Sequence, residues 1–175
     1  MPLNLLKKYP DLLEINHLNQ KERLKSLRRV FDRDISNNGN FQLRSKQIHP
    51  TTQDGQDPLD ILFKHLTTID EKDDDGKKTG KRIFESDRSV RLHWIKHHIE
   101  ENTPSVIHIF SYEDRIDRTD QIRTYIFDES EKHVIILEPF REKEEYYLLT
   151  AYYLNKSYGE KQIRKKMKKK LPKIH

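Results

Sequence analysis

Hydrophobic residues recur at helical spacing through the first part of the chain and give way to short β-branched and aromatic runs after Pro104. Residues 3–8 and 20–35 read as helices, the second built on Leu24, Leu27, Val30 and Phe31. Asn37-Asn38-Gly39-Asn40 is a turn, and Phe41, Leu43 and Ile48 mark a short strand that stops before Pro50. After a polar loop over 51–57, Pro58 opens a helix carrying Leu59, Ile61, Leu62, Phe63 and Leu66. Residues 70–80, DEKDDDGKKTG, hold no apolar side chain and read as a flexible acidic loop. A helix over 88–101 follows, capped by Asp87, with Leu92, Ile95 and Ile99 as its apolar stripe. The runs 106–110, 121–127, 133–137 and 146–154 read as strands, with Asp128-Glu129-Ser130-Glu131 as a hairpin turn. A last helix over 158–171 has a narrow seam of Ile163, Met167 and Leu171.

This order predicts an α+β fold: N-terminal helices followed by a four-stranded antiparallel sheet and a basic C-terminal helix. It divides into a helical N-terminal extension, 1–80, with the flexible loop at its end, and a core over 81–175. Alternation in 121–127 puts Ile122, Thr124 and Ile126 on a core face and Arg123, Tyr125 and Phe127 on the other. In the last strand Thr150 shares a face with Tyr146, Leu148 and Tyr152. Whether that is the face of Arg123 depends on the register.

Charge changes the picture. The net charge of +5 conceals an asymmetry, because residues 155–175 carry nine Lys/Arg against one acid, Glu160. Seven of those bases lie within 164–173, more than a helix dipole needs. The segment suits a polyanion, with RNA as the expected partner and salt-sensitive binding as its consequence. Five glycines in all, with no G-x-G-x-x-G or G-x-x-x-x-G-K-S/T, exclude a glycine-rich phosphate loop. The absence of cysteine excludes disulfides and thiolate metal sites. No run approaches the ~20 apolar residues of a membrane span, so no membrane partner and a cytoplasmic location are expected.

No cofactor or metal is expected. Asp73-Asp74-Asp75-Gly76 lacks the alternation of a calcium loop. His93 and His97, one turn apart on the more exposed side of their helix, could chelate zinc, but Trp94 occupies the glutamate position of H-E-x-x-H. The same residues suit metal-free RNA cleavage, which needs a base for the 2′-hydroxyl, an acid for the leaving oxygen and cations for the phosphorane-like transition state. Histidine titrates near neutrality and serves either proton role. The candidates are Arg88, Arg91, His93, His97 and His98 on the helix, Arg123 and Tyr125 on a middle strand, and Thr150 and Tyr152 on the last.

Arg88-x-x-Arg91-x-x-Trp94-Ile95, Pro104-Ser105-Val106, Arg123-x-Tyr125 and Tyr147-Leu148-Leu149-Thr150-Ala151-Tyr152 together resemble the phage-associated branch of the barnase–EndoU–colicin–RelE (BECR) group. The resemblance covers about half the chain, 84–170, and implies a small, mostly metal-independent ribonuclease, often a toxin. It implies a BECR-like fold of helices followed by a four-stranded antiparallel sheet. It places Arg88, Arg91, Arg123, Tyr125 and Thr150 in the cleft; His93 is a candidate from chemistry alone.

The expected function is a metal-independent endoribonuclease, the toxin of a toxin–antitoxin, phage-defence or contact-dependent system, with an antitoxin or immunity protein as a second partner. His93 or His97 would act as base or acid. Arg88, Arg91 and Arg123 would bind the scissile phosphate, and Tyr125 and Thr150 would orient it. Tyr152, Lys156, Lys161, Arg164, Lys165, Lys168 and Lys169 would hold the RNA. The alternatives are a non-catalytic nucleic-acid-binding regulator and a protein-interaction domain whose lysine helix docks an acidic partner.

Overall fold

The structure is a computed structural model that describes residues 3–100, 106–140 and 142–175. Glu101, at the end of the predicted helix, and Pro104 and Ser105 lie outside these residues. The chain begins with a short 3-10 turn, Leu3–Leu6. Helix α1, Gln20–Phe31, starts at a reciprocal cap: the Asn19 side chain accepts from the Glu22 amide while the Glu22 carboxylate reaches back. It continues into a wide turn, Asp32–Ser36. Strands β1, Gln42–Leu43, and β2, Lys46–Pro50, come next, then α2, Pro58–Thr67, which Asp57 caps.

The segment expected to be a flexible loop is instead the tip of a hairpin, β3 (Thr68–Lys72) and β4 (Lys78–Phe84). Its register rests on charge rather than burial: Arg82 Nη1 reaches Asp70 at 2.8 Å, and Lys78 Nζ reaches the other Asp70 oxygen at 2.8 Å.

The helix predicted over 88–101 is two pieces, α3 (Ser86–Ser89), capped by Glu85 rather than Asp87, and α4 (Trp94–Glu100). The Val90 carbonyl that a continuous helix would use accepts instead from the Leu13 amide at 2.9 Å. The links between the pieces are tighter, Arg91 to Arg88, Leu92 to Ser89 and Trp94 to Arg91.

Strands β5 (Ile107–Ile116), β6 (Thr119–Asp128), β7 (His133–Phe140) and β8 (Glu145–Tyr153) form an antiparallel meander. The two-residue turn Asp117-Arg118, both residues at positive φ, joins β5 to β6. The expected four-stranded antiparallel, BECR-like sheet is overturned, because the N-terminal half adds to it. Strand β2 pairs in parallel with β8 (Ile48 opposite Tyr146), and β1 pairs with β2. Among the described residues the result is a curled, mixed six-stranded sheet, ordered β1-β2-β8-β7-β6-β5. Helix α5, Ser157–Lys168, ends the regular structure.

Each sheet face has its own core. The larger draws on both ends of the chain, with Leu27, Phe31, Leu62, Leu66, Leu92 and Ile95 against Ile126, Ile135, Leu137, Tyr146 and Leu148. On the other face Phe110, Tyr125, Phe127 and Val134 pack under Ile163 and Met167 of α5. The register settles the question of faces. Thr150 opposes Ile136, which opposes Tyr125, so Thr150 lies on the Arg123–Tyr125 face. Tyr146 and Leu148 do not share it; they are fully buried in the larger core. An extra residue causes the switch: Ile136 pairs with Thr150 while Leu137 pairs with Leu148, so β8 bulges at Leu149.

A buried polar network ties the N-terminal segment to the sheet. Asp128 accepts from Tyr9 Oη at 2.6 Å and from His98 Nε2 at 2.8 Å, and its other oxygen accepts from the Ser130 and Glu131 amides. His133 Nδ1 lies 3.1 Å from His98 Nδ1. Burial works against the Asp128 carboxylate, but the bonds from His98, Tyr9 and the Glu131 amide outweigh it and hold its pKa well below the usual range. Removing the carboxylate strands buried donors. Asp128→Ala is expected to cost about 3–5 kcal/mol in urea unfolding. Asp120→Ala, which breaks an exposed pair with Arg115, should cost less than about 1 kcal/mol.

Candidate nucleic-acid interface

A concave feature lies where α3, β3 and the end of β8 meet α5. It is a groove of about 480 Å³ lined by Ile69, Glu85, Asp87, Arg88, Tyr152 and Lys166, with Asn155, Tyr158 and Gln162 at its sides. Thr150 is adjacent, its Oγ1 3.3 Å from Arg88 Nη1. The short helix α3 presents Arg88 here. Nη1 also donates to the carbonyls of His65 at 2.6 Å and Thr68 at 3.1 Å. Arg88 makes no ion pair among the described residues, and its buried Nε has no protein partner there. Burial, with Arg82 nearby, pulls its pKa down. A partly desolvated guanidinium held by neutral oxygens is a prepared seat for an anion, worth about 1.5–3 kcal/mol per charge-assisted bond.

Lys166, on the inner side of α5, donates to Asp114 Oδ1 at 2.5 Å and to Tyr125 Oη at 3.0 Å, and Tyr125 donates to Asp114. Burial and the Asp114 carboxylate raise the Tyr125 pKa. Its ring is 2% exposed and stacks on Phe110 at 5.1 Å. Tyr125 therefore belongs to the floor beneath α5. Arg123 is equally engaged, with Nη2 on Gln121 at 2.8 Å and Nη1 on Glu138 at 3.3 Å. Burial raises the pKa of Tyr152 as well; this phenol reaches the groove itself.

The structure thus brings together Arg88, Thr150, Tyr152 and Lys156, with Tyr125 below them. Arg91 sits beside the groove, its guanidinium 3.8 Å from the Tyr153 ring centroid and its Nη1 on the Asp87 carbonyl at 2.6 Å. The histidines are placed elsewhere. His93, buried rather than exposed, has Nε2 2.8 Å from the Asp11 carbonyl oxygen. His97 stacks on Tyr9 at 4.2 Å. Both line a different cavity with Lys7, Arg33 and Lys96. Lys161, Lys165 and Lys168 on α5, and Lys169 just after it, are exposed and unpaired among the described residues. Arg164 is tied to Glu129 and Glu160.

Sequence reasoning missed Asp87 as a groove carboxylate, Lys166 as an inward-facing cation and Asp114 as its partner. The alternation Phe110, Tyr112, Asp114 carries the signal for Asp114, since β5 continues through polar residues to Ile116.

Among the described residues no cluster of three or more His, Asp or Glu side chains is arranged to hold a metal ion, and no helix is long and apolar enough to cross a membrane. No family model, curated protein or solved structure matches the chain.

Burial lowers the His93 pKa to about 4, whereas the unfolded imidazole titrates near ~6.5. The unfolded chain takes this proton first, so the contribution of neutral His93 to stability is intact above pH ~6.5 and is lost as pH falls towards about 4. The urea midpoint should drop across that interval, and His93→Gln should flatten the drop.

Proposed function

We propose that the chain is an endoribonuclease that cleaves by 2′-hydroxyl attack without a metal ion, and that the α3–α5 groove is its site. The observation that carries this reading is Arg88, held in the groove without a carboxylate partner among the described residues and beside the Thr150 hydroxyl. The exposed lysines of α5 continue the positive surface away from it. The convergence of Arg88 and Thr150, which the BECR resemblance also singles out, supports the reading further.

Arg88 takes a non-bridging oxygen of the scissile phosphate, and Thr150 orients that phosphate. The Asp87 carboxylate, which also accepts a 3.4 Å bond from Asn155, removes the 2′-hydroxyl proton. The 2′-oxygen attacks phosphorus, the bond to the 5′-oxygen breaks, and Tyr152 returns a proton to that leaving oxygen. Burial raises the phenol's pKa, so it keeps its proton until the more basic leaving oxygen takes it. The products are a 2′,3′-cyclic phosphate and a 5′-hydroxyl. An activity of this kind is damaging to its host cell, so the reading carries with it an antitoxin or immunity protein able to cover the groove.

A second reading is favoured by the placement of the histidines: with His93 on Asp11 and His97 on Tyr9, the groove serves as a non-catalytic nucleic-acid-binding surface.

Purified protein is expected to cleave RNA in EDTA and leave 2′,3′-cyclic ends. Arg88→Gln should lower the rate about 10²- to 10³-fold, with thermal melting as the control for folding. Asp87→Asn and Tyr152→Phe should lower cleavage while RNA binding persists, and His93→Gln should leave cleavage intact. Intact RNA together with Arg88-dependent binding would establish the second reading.

Salt tests the grip separately. The logarithm of the binding constant should fall linearly with the logarithm of salt concentration, by about 0.7 per neutralised phosphate of single-stranded RNA. Replacing Lys161, Lys165 and Lys168 with Gln should make that slope shallower and weaken binding to all sequences alike.

A further inference from the structure

The groove contains an aromatic side chain that the cleavage scheme leaves unused. Tyr158 is 60% exposed, unlike the other tyrosines along the meander and α5, and it lines the same groove as Arg88, Tyr152 and Lys166. Several other rings are engaged. Tyr125 is stacked on Phe110, Tyr153 lies under the Arg91 guanidinium, Tyr146 is fully buried, and Tyr9 is stacked on His97. An exposed ring leaves apolar surface in water, and here it lines a groove that also holds Arg88 and Lys156. Lys156 Nζ lies over one face of the ring, 5.9 Å from its centroid, so a base stacked on the other face would have a cation near its flanking phosphate. The neighbouring residue is Gly159, where an added Cβ would meet, among the described residues, only the Leu154 side chain at 3.4 Å. That position adds no bulk to the groove wall.

We propose that Tyr158 is the stacking platform for an unpaired nucleobase next to the phosphate held by Arg88, and that the groove therefore takes single-stranded rather than duplex RNA. The proposal rests on the groove being the RNA site. Bases in a duplex are stacked on one another and present no free face to a side chain, whereas a single strand can lay one base on the ring while its backbone follows the lysines. Tyr158 sits at the first turn of α5, so the platform and the exposed lysines belong to one rigid element.

The test uses the full chain and a short 5′-labelled RNA with 2′-O-methyl groups, which binds but cannot be cleaved by 2′-hydroxyl attack, followed by fluorescence anisotropy. Single strand should bind more tightly than the same sequence in a duplex. Tyr158→Ala should weaken single-strand binding about 10- to 100-fold, and Tyr158→Phe should bind as the unaltered chain does. An oligonucleotide with one abasic position should bind as weakly as the full strand binds to Tyr158→Ala, with no further loss when the two are combined. Two results would overturn the proposal while leaving the groove as the RNA site: equal affinity for duplex and single strand, or a Tyr158→Ala chain that binds normally while Arg88→Gln has lost binding. If neither substitution alters binding, the groove is not the RNA site and the proposal falls with it.

Discussion

Strand β8 contains one residue more than its partner requires, and the functional half of the molecule depends on that excess. Its first part, Tyr146 to Leu148, pairs with β2 on one side and β7 on the other and faces the larger core. A regular continuation would place Thr150 and Tyr152 in that same core, where a threonine hydroxyl and a phenol would need buried partners. The bulge at Leu149 turns them to the opposite face instead. Thr150 then meets Arg88, and Tyr152 reaches the groove. One inserted position thereby separates a packing surface from a polar one within nine residues of strand.

The opposite face is not left open, because α5 covers part of it, and its charges divide by direction. Lys166 turns inward and is neutralised by Asp114, and Arg164 is held by Glu129 and Glu160. These pairs fix the helix over Phe110, Tyr125 and Val134. The exposed pairs contribute little each, about 0–1 kcal/mol; Asp114, only 9% exposed, carries the larger penalty if its partner is removed. Lys161, Lys165 and Lys168 are exposed on the outer side of the helix. A helix of net positive charge therefore docks without neutralising itself.

Much of this was legible in the sequence, and the exceptions have physical causes. The meander, the helix from Pro58 and the Ile163 and Met167 part of the last helix's seam follow from periodicity and are present, whereas Leu171, expected in that seam, lies beyond α5, which ends at Lys168. The single strand expected from Phe41, Leu43 and Ile48 is two, β1 and β2, and the partner of β2 lies about a hundred residues away, so neither alternation nor local turns announce that pairing. The β3–β4 hairpin has no buried residue and is held in register by Arg82, Asp70 and Lys78, so hydrophobic patterning is blind to it. The face of Thr150 was hidden for a different reason: strict alternation is the only rule a sequence offers for a strand, and a bulge breaks it.

The break between α3 and α4 has the widest consequences. Nothing in Ser89-Val90-Arg91-Leu92-His93 is a helix breaker. The interruption comes from the N-terminal segment, which takes the Val90 carbonyl with the Leu13 amide and offers the Asp11 carbonyl to both His93 and the Trp94 indole. Those bonds rotate His93 into the protein, and Tyr9 completes the capture by stacking on His97 and bonding Asp128. The imidazoles are thus committed to joining the chain's first residues to the sheet. Burial keeps His93 and His133 neutral at the pH where a histidine would be most useful as a catalyst. The groove is lined instead by the carboxylates of Glu85 and Asp87 and by phenols that include Tyr152. Arg88 supplies a positive charge held there by the carbonyls of His65 and Thr68.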